Sequence, residues 1–360
     1  MFATLCEALV PGSITGTVFR AACAAAMALA AVAALLPWLV RLAARRRFAD
    51  RADKSDSDHL NQLHAAKRST PIVGGIAMVA GVVPATLAFA DLGRSEPWLL
   101  VASLLALASL GLADDLAKTF GANRTRGLSA RQKLVGQAAI GLAVGVFLLL
   151  GGAEPAGWTT LGVPFTGHSL AIGAVGFAAL VTFLVTGSSN AVNLTDGLDG
   201  LAGGCALVAC AVYAAVGAAV SVPEVAAAFG VAHAPGGAEV AVALSAIAGG
   251  LVAFLWFNRH PARVFMGDTG SLPLGGVLAV AAVLTRQELL LAVVGGVFVV
   301  EALSVMAQVG SFRLTGRRVL RCAPLHHHFE FAGWRETEVV NRFHAAALVL
   351  GLIALAGFGA

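Results

Sequence analysis

The sequence predicts an all-α polytopic membrane protein of about ten transmembrane helices, and three observations lead there. Of its 360 residues, 58% are apolar and only 12% charged, where soluble domains carry about 25% charged residues. Apolar runs long enough to cross about 30 Å of hydrocarbon recur from one end of the chain to the other. Between those runs the basic residues gather in alternate loops, as in a chain oriented by its cytoplasmic charges. One integral-membrane domain over residues 1–360 is the economical reading.

The first run, at about residues 21–40, reads as a membrane helix and not as a cleaved signal peptide, because its basic cluster (Arg45, Arg46, Arg47) follows the apolar stretch. Further spans are expected at about 72–90, 97–113, 134–153, 168–186, 198–220 and 239–257. The eighth, at 271–285, is the shortest, yet Thr269 to Thr285 gives 17 consecutive uncharged residues. Spans at 289–309 and 343–359 complete the set. There is no sequence repeat of the kind that marks inverted-repeat transporters, and richness in Gly and Ala fits close helix packing in lipid.

Lys and Arg set the orientation. The loops after spans 1, 3, 7 and 9, with their flanks, hold 21 of the 24, leaving only Arg20, Arg94 and Arg286 on the other side. Those loops are therefore expected in the cytoplasm, with both termini outward. The five cysteines form no CxxC pair, which leaves a disulfide framework and a structural zinc site unsupported. Nucleic acid is excluded as a partner, because the basic residues lie in short loops between apolar runs and not along one polar face. Membrane lipid is the expected surrounding.

The unusual polar residues collect on the expected cytoplasmic face. Asp114 and Asp115 end the third span in "GLADDLAK"; Asp196 and Asp199 lie in "NAVNLTDGLDG" before the sixth; Asp268 lies in "FMGDTGS" before the eighth. Adjacent carboxylates at a membrane boundary repel one another unless a cation compensates. Lys118 is spaced to pair with either Asp114 or Asp115 on a helix, and a solvated helix end with a surface ion pair is the plain alternative. Asp268 adds a third carboxylate, and several Asp beside Lys and Arg suit phosphoryl chemistry at a hard divalent cation. In the "NLTDG" turn, Gly197 and Gly200 permit close backbone approach, while Asp196 and Asp199 suit hydroxyls, a base or a metal better than a phosphate. Asn258 offers an amide, and Phe265 a flat face that could equally be an interfacial belt residue.

The last expected cytoplasmic loop places His326, His327 and His328 beside Arg317, Arg318 and Arg321. Three consecutive His on a helix point different ways, so anion binding or proton handling fits better than a three-His zinc site; a solvated basic loop near anionic lipid is the alternative. Glu301 stands mid-span, where an ionisable group is functional by default or holds a structural hydrogen bond. Its partner cannot be named from sequence.

Taken together, "KRSTPIVGG", "ADDLAK", "NAVNLTDGLDGLA", "FLWFNRHPARVFMGDTGSLPLGG", "EALSVMAQVGSF" and "APLHHHFEFAGW" resemble, in order from about residue 67 onward, the phospho-N-acetylmuramoyl-pentapeptide transferases. These belong to the polyprenyl-phosphate N-acetylhexosamine-1-phosphate transferases. The resemblance implies ten membrane helices, a cytoplasmic active-site cleft, Mg2+ dependence, a homodimer, and a place in the bacterial inner membrane. The implied reaction joins undecaprenyl phosphate to UDP-N-acetylmuramoyl-pentapeptide, giving lipid I and UMP in peptidoglycan synthesis. Carried onto matching positions, it makes Asp268 the Mg2+ ligand and puts Asp114 and Asp115 at the phosphates or the incoming lipid. Asn193, Asp196, Gly197, Leu198, Asp199, Asn258 and Phe265 form the nucleoside pocket with Lys67; Lys118, Lys133, Gln308, His326, His327 and His328 complete the cleft, His327 and Lys118 among the catalytic groups.

The chain departs from the family's usual K-x-G-T-P-T-M-G-G: Ser69 replaces a Gly and Ile72 the second Thr, and the stretch before Lys67 also differs. Ile72 either removes a hydroxyl contact to the nucleotide or packs against the second span. Direct attack by the lipid phosphate and a covalent aspartyl-phosphate both remain open. Two rival functions are a sibling transferase using UDP-N-acetylglucosamine, which differs in the last loop, and a transporter, whose site is normally at the membrane midplane and not at one face.

Overall fold

The computed structural model describes residues 14–46, 70–120, 127–151, 155–166 and 168–358; Lys67 and Ser69 lie outside them. In chain order the elements are α1 (Ile14–Arg46), α2 (Gly74–Phe89), α3 (Ser95–Phe120), α4 (Ala130–Gly151) and the single turn α5 (Pro155–Trp158). Then come strands β1 (Thr160–Val163) and β2 (His168–Ala171), and helices α6 (Gly173–Thr195), α7 (Leu201–Val220), α8 (Pro223–Ala228) and α9 (Gly237–Asn258). The chain continues through α10 (Asp268–Leu284), α11 (Leu291–Val294), α12 (Gly296–Thr315), α13 (Leu325–Phe331) and α14 (Glu336–Ala356).

Among the described residues, eight helices are long and apolar enough to cross a membrane: α1, α3, α4, α6, α7, α9, α12 and α14. At the positions of the expected second and eighth spans stand two shorter apolar helices, α2 and α10, of 16 and 17 residues. At 1.5 Å per residue each covers about 25 Å. The short α10 is enclosed by protein: every residue from Asp268 to Leu284 is buried, against α2, α3, α6 and α7. The outer helices reverse this pattern. Leu150, Val175, Phe183 and Leu314 lie exposed on their surfaces, as they do where lipid replaces water.

Three boundaries differ from the sequence expectation. The third helix runs on to Phe120, past the expected end of the apolar span at residue 113, and carries Asp114, Asp115 and Lys118 on its last turns. The start of the expected fifth span is instead β2, paired antiparallel with β1 from Thr160↔Ala171 to Val163↔His168. Pro164 cannot continue a ladder, and the Thr166 hydroxyl closes the turn on the Val163 carbonyl at 3.0 Å. The ninth span is interrupted at Gly295, where adjacent glycines weaken the helix and Gly296 lets the chain sit against Leu350 of α14.

At the end of the bundle away from the acidic residues, Arg20 on α1 forms a two-pronged pair with Glu239 on α9, at 2.9 and 3.1 Å. The Asp91 N–H donates to the same carboxylate at 2.8 Å. One buried pair therefore ties α1, α9 and the α2–α3 connection. Just past α10 lies Glu288, 3% exposed, with the neighbouring Gln287 carbonyl held by the Tyr213 hydroxyl at 2.8 Å. Burial pushes the Glu288 carboxyl up to about 7, against only partial relief from its own backbone N–H and from Arg286. The folded chain thus holds this proton more tightly than the unfolded chain, whose carboxyl titrates near 4.5. The associated stabilisation is complete below pH 4.5 and lost as pH rises through 7. Melting temperatures in detergent should fall between pH 5 and pH 8 in the parent, and Glu288→Gln should remove most of that fall; an unchanged slope would show Glu288 is not its source.

Candidate active site

Asp268 is the first residue of the buried helix α10, and the polar groups converge on that helix start. Gly267, at φ +69°, supplies the left-handed turn into it, and a Cβ there would lie 2.7 Å from Asp115 Oδ2 and in collision with Ile72. Gly111 of α3 rests directly on the Asp268 carbonyl, with no room for a side chain. One helical turn further along α3, Asp115 is therefore placed over the open N–H groups of α10. Its Oδ1 accepts the Asp268 N–H at 3.2 Å; its Oδ2 accepts the Thr269 N–H at 2.9 Å and the Thr269 hydroxyl at 2.7 Å.

Asp114 turns the other way. Its Oδ1 accepts the Leu128 N–H at 2.7 Å, and its Oδ2 pairs with Lys118. Lys118 Nζ is also 3.3 Å from Asp268 Oδ1, while Lys133 Nζ lies 3.0 Å from Asp268 Oδ2 and 3.7 Å from Asp114 Oδ2. Asn193, near the end of α6, donates to Asp268 Oδ1 at 3.0 Å and to the Ser271 hydroxyl at 2.9 Å. Behind it, Gln137 donates to Ser189 at 3.0 Å and accepts from Asn190 at 2.7 Å, and Ser189 donates to the Leu272 carbonyl at 2.9 Å. Gln137 and Ser189 escaped the sequence reading because an isolated Gln or Ser within an apolar run carries no motif, while Asn190 and Ser271 stand in quoted segments without having been singled out.

Carboxylate oxygens of Asp114, Asp115 and Asp268 all come within 4.8 Å of one another, a hard oxygen donor set of the kind a divalent cation takes. Asp115 has both oxygens engaged by the α10 start, whereas Asp114 Oδ2 and both oxygens of Asp268 face the two lysines. The donor set fits a divalent cation held chiefly by Asp268 and Asp114.

A model of glycosyl transferase family 4 matches residues 97–286. The phospho-N-acetylmuramoyl-pentapeptide-transferase of Desulfosudis oleivorans is 44% identical over 295 residues, which is 82% of this chain and 81% of that protein. The chain belongs to the phospho-N-acetylmuramoyl-pentapeptide-transferase family.

In this family member the expected site residues divide. Asp114, Asp115, Lys118, Lys133, Asn193 and Asp268 form one connected cluster. Asp196 and Gly197 form the half-buried turn that ends α6, followed by the buried Leu198. Asp199 belongs to a second group: its Oδ2 lies 3.1 Å from His260 Nδ1 and accepts the Ala262 N–H at 3.0 Å, while its own N–H donates to Glu336 at 2.7 Å. That group borders a cavity of about 440 Å³ reaching Arg259 and His344. His260 and Glu336 were not expected: Glu336 lies outside every quoted segment, and His260, though within "FLWFNRHPARVFMGDTGS", stands far from it in sequence and was not singled out.

Asn258 spends its amide inside the protein, donating to the Val264 carbonyl at 2.8 Å and accepting the Gly200 N–H at 2.9 Å. Phe265 is half-buried. Gln308 likewise pins the basic loop, accepting from Val319 and Leu320 at 3.0 and 2.9 Å and donating to the Leu320 carbonyl at 3.0 Å. The three histidines of α13 take three different partners. His326 meets Glu301, His327 Nδ1 lies 2.6 Å from Glu330, and His328 Nδ1 accepts the Arg321 N–H at 3.1 Å.

Ile72 forms a parallel bridge with Phe265, and its buried side chain covers Gly267 beside Asp115. That is the packing alternative. Ile72→Thr is expected to lower the melting temperature while leaving the KM for a nucleotide-sugar substrate unchanged, because a packed methyl is exchanged for a hydroxyl. A KM lowered by about 2-fold or more would instead reveal a restored ligand contact.

Proposed function

We propose that this chain transfers phospho-N-acetylmuramoyl-pentapeptide from UDP-N-acetylmuramoyl-pentapeptide to undecaprenyl phosphate, giving lipid I and UMP. The observation that carries the reading is the pair of carboxylates, Asp114 and Asp268, facing Lys118 and Lys133 at the start of a buried helix. The identity to a named transferase of this family supports it. In this reading residues 1–360 act as one membrane unit of ten spans in the bacterial inner membrane, with outward termini, a cytoplasmic cleft and a homodimeric assembly.

The chemistry asked of these residues is electrostatic. A phosphate monoester has a second pKa of about 6, so the lipid phosphate is largely a dianion at neutral pH and needs little help from a base. Its oxygen attacks the sugar-bearing phosphorus and UMP departs. Lys118 and Lys133 offset the repulsion between the two anionic partners. Asp268 with Asp114 would hold Mg2+, which when bound would add charge neutralisation to that of the lysines. Asp115 holds the α10 start, leaving Asp114 as the carboxylate that orients the lipid phosphate. Asn193 fixes the Asp268 carboxylate. His327, His328, Asp196, Leu198, Asp199, Asn258, Phe265, Gln308 and Lys67 are assigned to the nucleotide-sugar side, directly or through the loops they hold.

A detergent-solubilised assay tests the reading. Lipid I from the muramoyl substrate is the expected product; lipid-linked N-acetylglucosamine from the other nucleotide sugar, or no product, overturns it. Within that assay, Asp268→Asn should reduce Mg2+-dependent turnover far more than Glu301→Gln, both compared as folded protein. Activity of Asp268→Asn within about tenfold of the parent would remove Asp268 from the metal.

A further inference from the structure

Glu301 has no role in the chemistry derived above, yet it is completely buried in the second turn of α12. Neighbouring positions on that helix, Val300, Leu303 and Met306, are apolar and exposed, so the carboxylate stands in a span whose outer face meets lipid. A buried ionisable group in such a place needs a partner, and Glu301 has one. Its Oε1 accepts the backbone N–H of His326 at 3.1 Å, and its Oε2 lies 3.3 Å from His326 Nδ1.

His326 is itself completely buried. Its ring stacks obliquely on that of His327, with centroids 4.2 Å apart. The opposite edge, Nε2, abuts Gly197 so closely that no side chain could stand there. Among the described residues that nitrogen has no hydrogen-bond partner. The imidazole is thus wedged between Glu301 on one side and the Asp196–Gly197 turn on the other. The Glu301–His326 contact is also a hydrogen-bonded tie between α12 and α13. The bonds from Arg321 to His328 and to the Phe331 carbonyl, by contrast, stay within the loop itself.

We infer that Glu301 is a positioning residue: through His326 it fixes α13, and with it His327, against the turn that carries Asp196. The inference rests on the proposed transferase reading and deepens it, because both ends of this wedge belong to the nucleotide-sugar side of the site. Among the described residues Glu301 touches neither Asp268 nor Lys118 nor Lys133, so its influence is expected on recognition of the nucleotide sugar and not on the lipid phosphate.

The test uses the full chain in detergent or nanodiscs, with Glu301→Gln, Glu301→Ala, His326→Ala and the double variant. Glu301→Ala is expected to raise the nucleotide-sugar KM by about tenfold while the lipid KM stays within about twofold. Glu301→Gln, which keeps an oxygen for the His326 N–H, should recover part of that loss. The double variant should be no worse than the poorer single, since both remove one wedge. Hydrogen–deuterium exchange over residues 325–331 should rise in Glu301→Gln relative to the parent, a reading that needs no turnover and no alanine variant that folds. Unchanged exchange there, or effects of Glu301→Ala and His326→Ala that multiply in the double variant, overturns the inference. A parent that forms no lipid-linked product from either nucleotide sugar fails the functional reading instead, and the exchange measurement still decides whether Glu301 holds α13.

Discussion

The site depends on how the first turn of α10 is satisfied. A helix start leaves N–H groups without partners, and in apolar surroundings those groups must find acceptors. Here the residue before the helix is Gly267, which has no side chain with which to cap, so the acceptor comes from another helix: Asp115 takes the N–H groups of Asp268 and Thr269 and the Thr269 hydroxyl. That arrangement requires α3 and α10 to touch backbone to backbone, which Gly111 permits. Asp115 is thereby committed to structure while its neighbour Asp114, rotated away, faces the lysines. Two adjacent carboxylates acquire different tasks from the geometry of one helix.

Charge compensation then organises the rest. Asp268 meets Lys118, Lys133 and Asn193, each from a different helix, so α3, α4, α6 and α10 are joined at one point. At the opposite end the Arg20–Glu239 pair performs a similar service for α1 and α9. In a medium with little water, each such pair is costly to break singly, because the remaining charge is left buried.

Much of this was legible in the sequence. The apolar runs located the long helices, eight of which have the length and apolar character to cross a membrane, and helical spacing placed Lys118 within reach of Asp114 or Asp115, of which the structure pairs it with Asp114. Contacts between distant segments were not legible. Nothing in the order of residues links Glu301 to His326, Asp115 to Thr269, or Asp199 to His260 and Glu336, because such pairs are set by how helices pack. The hairpin at residues 160–171 was missed for a related reason: its second strand is apolar enough to pass as the beginning of a span. The backbone partners of Asn258 and Gln308 were not legible either, since an amide in a loop looks the same in sequence whatever it bonds to.

The full enclosure of α10 bears on how the protein responds to its bilayer. A membrane that thickens or thins acts on the helices it touches, which answer by tilting or by shifting their flanking residues toward the interface. The helix bearing Asp268 touches no lipid among the described residues, and its 17 residues are shorter than an ordinary bilayer core. Its depth is registered against α3 and α6, not against the headgroups, so hydrophobic mismatch acts on the helices at the periphery and reaches Asp268 only through them.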